Sequence, residues 1–259
     1  MHINTLFSLK GQTALVIGGA GKIGFPMSES LAEAGARVYI GSRALARCEA
    51  AAVKLRSAGL NVLAIRIDQA DEASVGACLS AISNGTKAPS ILVNCGVERP
   101  MKRFFNDTVE AWDRSMTVNA RGLFVCCRTF GRAMAEGGGG SIINVASIYG
   151  LRAPDMTIYE GSPFETEPDY PYTKGGMIMF SKYLASYWAR RNVRVNCIAP
   201  GGFFNHQAEP FFSKYVHKVP LGRMAGHDDL KGATVFLASQ ASAYITGAVI
   251  PIDGGFTVV

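Results

Sequence analysis

Short apolar runs and longer helical patterns alternate along this chain. Residues 13–18, Thr-Ala-Leu-Val-Ile-Gly, form a compact run of β type that passes directly into a glycine-rich turn and then into a helical pattern through about Ala34. Arg37 to Ile40 read as a second strand, and residues 61–67 as a third that ends at Asp68. Residues 90–94 read as a fourth strand and residues 141–145 as a fifth. Helical patterns fill the intervals, over residues 72–83 and about 107–136, and the Gly137 to Gly140 run reads as a turn. Strands without polar alternation, separated by helices and joined by a few residues, predict a parallel sheet covered on both faces. The expected fold is α/β, a Rossmann-type doubly wound sheet whose ligands meet the carboxyl ends of the strands.

The first turn carries the clearest chemistry. Gly18-Gly19-Ala20-Gly21-Lys22-Ile23-Gly24 satisfies a GxGxxG spacing at Gly19, Gly21 and Gly24, and a GxxGxxG spacing at Gly18, Gly21 and Gly24. Strand, glycine turn and helix together are what a pyrophosphate needs: backbone close to the phosphates, with unpaired amides and the positive end of a helix facing them. The second strand then ends in Gly41-Ser42-Arg43. An acidic residue there would accept both ribose hydroxyls and select NAD. Ser42 and Arg43 instead offer a hydroxyl and a guanidinium to a 2′-phosphate, which favours NADP(H) and leaves NAD(H) possible.

Composition narrows the class. A length of 259 residues suits one α/β domain. Apolar residues make up 48% and charged residues 18%, with no apolar run long enough to span a bilayer and no basic-then-apolar leader, so a cytoplasmic location and no membrane partner are expected. Cys48, Cys78, Cys95, Cys126, Cys127 and Cys197 show no CxxC pairing or zinc spacing, and with four scattered histidines no metal is expected. The formal charge of +6 is spread along the chain. Nucleic acid is therefore not an expected partner, and attraction for a phosphorylated small molecule is the milder inference.

One further stretch bears on the chemistry. In Asp-Tyr-Pro-Tyr-Thr-Lys-Gly-Gly, residues 169–176, the phenol of Tyr170 stands four positions ahead of the ammonium of Lys174, which puts both on one face of a helix. Pro171 suits a first helical turn, so Tyr170 is expected at an N-terminus, where the helix dipole favours an anion. Ordinary tyrosine ionises near pH ~10. Acid/base work near neutrality needs more than one cation nearby, and an oxidised nicotinamide would be a second. Tyr149, Tyr159 and Tyr172 have no lysine four residues on.

The glycine turn, Asn94, Asn119 in Val-Asn-Ala-Arg-Gly, Ser147 after Ile-Asn-Val-Ala, Tyr170-x-x-x-Lys174 and Pro200-Gly201 follow one another in an order that resembles the short-chain dehydrogenase/reductases, from about Leu9 to Thr257. That resemblance implies about seven strands and a ketone–alcohol interconversion on a small-molecule substrate. It implies Tyr170 as the catalytic acid/base, Lys174 as the lysine assisting it and holding the nicotinamide ribose, Ser147 as the carbonyl-orienting hydroxyl, and Asn119 as support for a water relay. It further implies a cofactor site built from the glycine turn with Lys22 and Ile23, Ser42, Arg43, Asp68 at the adenine, Asn94, Gly96, Pro200 and Gly201, and a homotetramer or homodimer formed through the closing segment. Departures are Ile17 in place of the usual threonine, Lys22 in a place often held by glycine, Asn94-Cys95-Gly96-Val97 in place of Asn-Asn-Ala-Gly, and Asn205 in place of a threonine after Pro-Gly.

Ser147 and Tyr170 stand 23 positions apart, more than is usual for the family, so the loop 151–169 is enlarged. It carries Asp155, Glu160, Glu165, Glu167 and Asp169 against a single Arg152. Such a loop suits a neutral sugar or polyol, or is simply a solvated surface. Arg99, Lys102 and Arg103 would instead meet a carboxylate or phosphate. Residues 202–220, with Phe203, Phe204, Phe211 and Phe212, are expected to form a substrate lid. A 3-ketoacyl-type reductase is the main alternative. A non-catalytic dinucleotide sensor is disfavoured by the presence of Ser147, Tyr170 and Lys174, and a nucleotide-sugar epimerase by the lack of room for a further substrate domain.

Overall fold

The computed structural model describes residues 1–84 and 87–259. Seven strands make one parallel sheet: β1 (Thr13–Ile17), β2 (Arg37–Ser42), β3 (Val62–Arg66), β4 (Ile91–Asn94), β5 (Gly140–Val145), β6 (Val193–Pro200) and β7 (Val249–Ile252). Their order is β3-β2-β1-β4-β5-β6-β7. All neighbouring pairs run parallel, with Leu15 opposite both Tyr39 and Leu92. Strands are added to one side of β1 as far as β3 and to its other side from β4 onward, so the crevice opens above the carboxyl end of β1, where the glycine turn begins.

Helices cover both faces, which is why the strands read as unbroken apolar runs. Leu15 and Ile17 of β1 pack with Leu92 and Ile142 against Cys126, Phe130 and Trp188, whereas Ala14 and Val16 pack with Val93 and Ile143 against Met27, Leu31 and Leu237. The first face is covered by α4 (Glu72–Ser83), α6 (Gly122–Glu136) and α7 (Asp169–Trp188). The second is covered by α2 (Gly24–Glu33), α3 (Leu45–Ser57) and α9 (Lys231–Ala238). A short α1 (Ile3–Phe7) precedes β1. Asp71 caps α4 by accepting from the Ala73 amide at 3.0 Å, satisfying a donor that a helix start leaves unpaired.

The helical pattern over about 107–136 is not one regular helix. It comprises α5 (Val109–Ser115), a π turn over Met116–Arg121 and then α6. A π turn inserts a residue without breaking the run of helical backbone, so the apolar periodicity barely registers it. Asn119 sits inside that turn.

A third apolar cluster lies away from the sheet. Ile148 and Ile158 pack with Phe211, Tyr215, Val219, Met224 and Phe256, joining the loop 151–169 to α8 (Phe211–His217).

Candidate active site

The glycine turn is held by backbone. Gly18 adopts φ +78°, a left-handed conformation costly for other residues. Its amide donates to the Gly41 carbonyl at 2.7 Å, and its own carbonyl accepts from the Gly21 amide at 2.9 Å. A Cβ on Gly24 would lie 2.2 Å from the Gly18 oxygen, and one on Gly18 would lie 2.8 Å from the Gly96 nitrogen. The turn is thus pressed against the start of α2 and the loop after β4, and leaves its outer side to a groove of about 440 Å³, within the usual range for a cofactor pocket.

Eleven of the expected site residues share that groove. Gly18, Gly21, Lys22, Ile23 and Gly24 form its floor, Ser42, Arg43 and Asp68 one wall, and Gly96, Tyr170 and Lys174 the other. Asp68 is fixed from both sides: its amide donates to Ser74 Oγ at 2.9 Å, and its Oδ1 accepts from the Ala70 amide at 3.0 Å. A glycine cradle with no room for Cβ atoms, beside a serine hydroxyl and a guanidinium, fits a dinucleotide with its diphosphate over the turn.

Tyr170 lies in the first turn of α7 with Pro171, where a missing amide costs no helical hydrogen bond. Lys174 is only 4% exposed. Its Nζ donates to the Val145 carbonyl at 2.6 Å and stands 5.6 Å from the centroid of the Tyr170 ring. The Arg99 guanidinium lies over the same ring at 4.5 Å. Two cations therefore face one phenol, and negative charge forming there is stabilised from both.

Ser147 follows β5, is buried, and accepts from the Tyr149 amide at 3.1 Å, capping a short 3₁₀ turn over Ile148–Gly150. That turn lies directly on α7, since a Cβ on Gly150 would come within 2.8 Å of the Lys174 backbone. Ser147 does not line the groove, and neither do Asn94, Asn119, Pro200 or Gly201. The Asn94 amide is turned into the core, donating to Asn144 Oδ1 at 2.8 Å. Pro200 and Gly201 end β6, where the Gly201 amide donates to the Ile252 carbonyl at 2.9 Å.

The Asn119 amide is fully committed. Its Oδ1 accepts from the Glu98 amide at 2.9 Å, and its Nδ2 donates to the Glu98 carbonyl at 2.6 Å and to Ser115 Oγ at 3.0 Å. Ser115 in turn donates to Asp169 Oδ2, so a continuous chain runs from the loop after β4, through the π turn, to the residue before Tyr170. Asp169 is 1% exposed and its Oδ1 has no partner.

The acidic loop 151–169 uses much of its charge on residues 202–220. Asp155 pairs with Lys218 at 3.0 Å and Glu160 with Lys214 at 3.6 Å. The Thr157 hydroxyl, and after it Lys218, holds the Asp155 carboxyl down at about 2. Those two carboxylates grip α8, which leaves less of the loop for a substrate than its composition suggested. Burial raises the Tyr149 and Tyr159 hydroxyls, which share a hydrogen bond at 2.7 Å. Burial also pushes the Cys95 thiol up to about 11 against the pull of Lys174, so it meets the groove neutral. Groove residues that the motif reading passed over include Arg47 and Gln69. Arg47 lies four positions beyond Arg43, a spacing that was available as a signal.

A parallel sheet in this order, with a glycine cradle at its switch point and a tyrosine–lysine pair across the groove, defines a dinucleotide-dependent oxidoreductase. A family model described as enoyl-(acyl carrier protein) reductase matches residues 18–257. The galactitol 2-dehydrogenase (L-tagatose-forming) of Cereibacter sphaeroides is 33% identical over 265 residues, covering 100% of both chains. The D-threitol dehydrogenase of Mycolicibacterium smegmatis is 35% identical over 272 residues, covering 97% of this chain and 95% of its own. The crystal structure of a gluconate 5-dehydrogenase from Burkholderia cenocepacia, in complex with NADP and tartrate, superposes with a TM-score of 0.90 at 30% identity over 100% of both chains. The chain belongs to the short-chain dehydrogenase/reductase family and is an NAD(P)-dependent oxidoreductase acting on CH–OH groups.

Proposed function

We propose that this chain interconverts a ketone and a secondary alcohol on a sugar or polyol, with NADP(H) as the favoured cofactor. The observation that carries the proposal is the placement of Tyr170 and Lys174 on the same groove as the glycine cradle, Ser42 and Arg43. The names of the relatives, galactitol and threitol dehydrogenases among them, support the substrate class. The NADP complex of the gluconate dehydrogenase supports the cofactor.

In this reading Gly18, Gly21 and Gly24 cradle the diphosphate on their backbone, Ser42 and Arg43 take the 2′-phosphate, and Asp68 and Gly96 flank the adenosine end. The bound nicotinamide supplies or accepts the hydride. Ser147 Oγ orients the substrate oxygen, and Tyr170 Oη gives it a proton in reduction or takes one in oxidation. Lys174 and Arg99 stabilise the phenolate that remains. Asn119 holds the loop after β4 in place beside these groups. Tyr149 and Tyr159, kept neutral by burial, offer hydroxyls suited to a hydroxyl-rich substrate.

Arg99 favours a second reading within the same class, in which the polyol chain ends in a carboxylate that meets the guanidinium at 4.5 Å from the Tyr170 ring. A screen of NADPH oxidation with keto-sugars, keto-aldonates and acyl ketones, together with the reverse reaction on polyols, distinguishes the readings. Turnover confined to acyl ketones would overturn the sugar assignment. Tyr170→Phe should lower kcat at least 10³-fold while leaving the NADPH dissociation constant within about twofold, and near-normal turnover would overturn its role.

The remaining proposals concern organisation. All described residues are read as one catalytic domain, with the loop 151–169 and the lid 202–220 as appendages to it. Met179, Tyr183 and Tyr187 lie exposed at four-residue spacing along α7, with Phe124 exposed on α6; a second copy of the chain would cover them, consistent with a homodimer or homotetramer. No helix among the described residues is long and apolar enough to cross a membrane, and all six cysteines are free thiols, which fits a cytoplasmic enzyme.

A further inference from the structure

The two walls of the groove are bridged by an ion pair. Arg43 follows β2 and Glu98 follows β4, on either side of β1, yet Arg43 Nη2 and Glu98 Oε2 approach to 3.0 Å. The bridge therefore spans from the β2 side of β1 to the β4 side; Arg43 lines the groove, and Glu98 follows Val97, which lines it too. The partners are unequally held. Glu98 has its backbone amide and carbonyl both bonded to the Asn119 side chain, and its other carboxylate oxygen bonded to Arg114 Nε. Its side chain is 19% exposed, against 53% for Arg43. Partial burial pushes the Glu98 carboxyl up, but Arg114 and Arg43 outweigh it and keep it below the usual range, so it carries its charge at neutral pH. Glu98 is thus the fixed member, and Arg43 the member free to leave.

We propose that Glu98 is a specificity-determining residue that competes with the cofactor's 2′-phosphate for Arg43 and so tempers the preference for NADP(H) over NAD(H). The inference rests on the NADP reading above. A 2′-phosphate entering beside Ser42 must draw Arg43 away from a carboxylate, and it then lies near a negative charge that NAD(H) lacks the phosphate to feel. Arg114 moderates the competition by neutralising part of the Glu98 charge. Glu98 also anchors Asn119 through its main chain, which a side-chain substitution leaves in place.

The test is equilibrium binding of NADPH and NADH, followed by nicotinamide fluorescence, to the full chain and to E98Q, R114M, R43A and R43A/E98Q. E98Q should tighten NADPH about fivefold, the scale of a solvent-accessible ion pair, with NADH within about twofold. R114M should do the opposite, weakening NADPH because Glu98 then has Arg43 alone. In the R43A background E98Q should lose most of its effect. The E98Q gain should shrink between low and 0.5 M salt, since screening weakens exposed charges. If E98Q leaves the NADPH-to-NADH ratio unchanged or weakens NADPH, Glu98 orients Arg43 rather than competing for it and the proposal fails. If the unmodified chain binds NADH tighter than NADPH and R43A leaves NADPH binding unchanged, the NADP reading itself fails, an outcome the E98Q ratio alone does not produce. Melting curves of each variant identify loss of binding that comes from unfolding.

Discussion

Adding one methyl group at Gly24 should damage the molecule out of proportion to its size. Gly24 opens α2, where alanine would ordinarily be worth up to about 1 kcal/mol more than glycine. Its Cβ, however, would lie 2.2 Å from the Gly18 carbonyl oxygen and 2.8 Å from Gly18 C and Gly19 Cα. All three are backbone atoms, so no rotamer relieves the contact. Reaching even a tight 3.0 Å separation requires a shift of about 0.8 Å. Gly18 cannot make it freely, because its amide bonds Gly41 and its carbonyl bonds Gly21. Overpacking of this kind costs about 1–3 kcal/mol, and breaking the Gly18–Gly21 bond adds about 1 kcal/mol. After the helix gain, Gly24→Ala should lose about 1–3 kcal/mol, or roughly 2–12 °C in Tm for a chain of this size. NADPH affinity should fall at least tenfold, because the amides at the head of α2 are displaced from the diphosphate. The assays are thermal unfolding and fluorescence titration, with Gly76→Ala as the control. Gly76 lies within α4 with nothing near its Cβ position, so its alanine should stabilise by about 0.5–1 kcal/mol. If Gly24→Ala melts within 2 °C of the unmodified protein and binds NADPH normally, the turn is not packed as described.

Three further outcomes are expected. Glu167 is 4% exposed with neither carboxylate oxygen paired, and burial first, then Glu165 and Asp107, raises its pKa. An acid raised in the native state costs nothing below the ordinary glutamate range, and its penalty grows as pH rises until it is complete above the native value. Glu167→Gln should therefore raise Tm by about 2–8 °C at neutral pH, from about 1–2 kcal/mol, and by nothing near pH ~3; melting curves across pH check this, and a gain independent of pH would refute it. Ser115→Ala strips the Asp169 carboxylate of its one hydrogen-bond donor among the described residues and should cost about 1–3 kcal/mol, with a Ser115→Ala/Asp169→Asn pair costing less than the sum of its parts by denaturant titration. Gly131→Ala, favoured by helix propensity, would place Cβ 2.2 Å from the Trp188 ring and should lower Tm rather than raise it.

What was legible in the sequence was what is local. Thr13 to Gly24 announced strand, turn and helix because its apolar run and its glycines are contiguous, and Tyr170 and Lys174 are one helical turn apart. The unbroken apolar strands likewise announced a sheet covered on both faces. Long-range pairings were not legible. Asp155 and Glu160 read as free charge in a loop because Lys214 and Lys218, which hold them, lie more than fifty positions later. Nor was it legible that Asn94, in a strand buried on both faces, gives its amide to Asn144 and Cys127 across the sheet. The π turn at Asn119 escaped notice because one extra residue hardly disturbs helical periodicity. Arg47 passed unremarked because its relation to the groove depends on where α3 starts.

The loop 151–169 and residues 202–220 are packed together as one unit rather than two separate segments. Asp155–Lys218 and Glu160–Lys214 tie their surfaces. Beneath them Tyr159 and Phe164 stack on Phe211 with centroids 5.1 and 4.9 Å apart, and aromatic contacts of this kind hold more firmly than exposed ion pairs. This unit also touches the cofactor groove: Lys22 of the glycine turn donates to the Phe204 carbonyl at 2.9 Å and to Asn205 Oδ1. A diphosphate lying on that turn would be a stronger partner for the Lys22 ammonium than a neutral carbonyl or amide. Away from the groove, residues 202–220 pack on Ile148 and Phe256 through Tyr215 and Val219. The enlarged loop is thus packed on residues 202–220, while Arg99 and Lys174 face the Tyr170 ring.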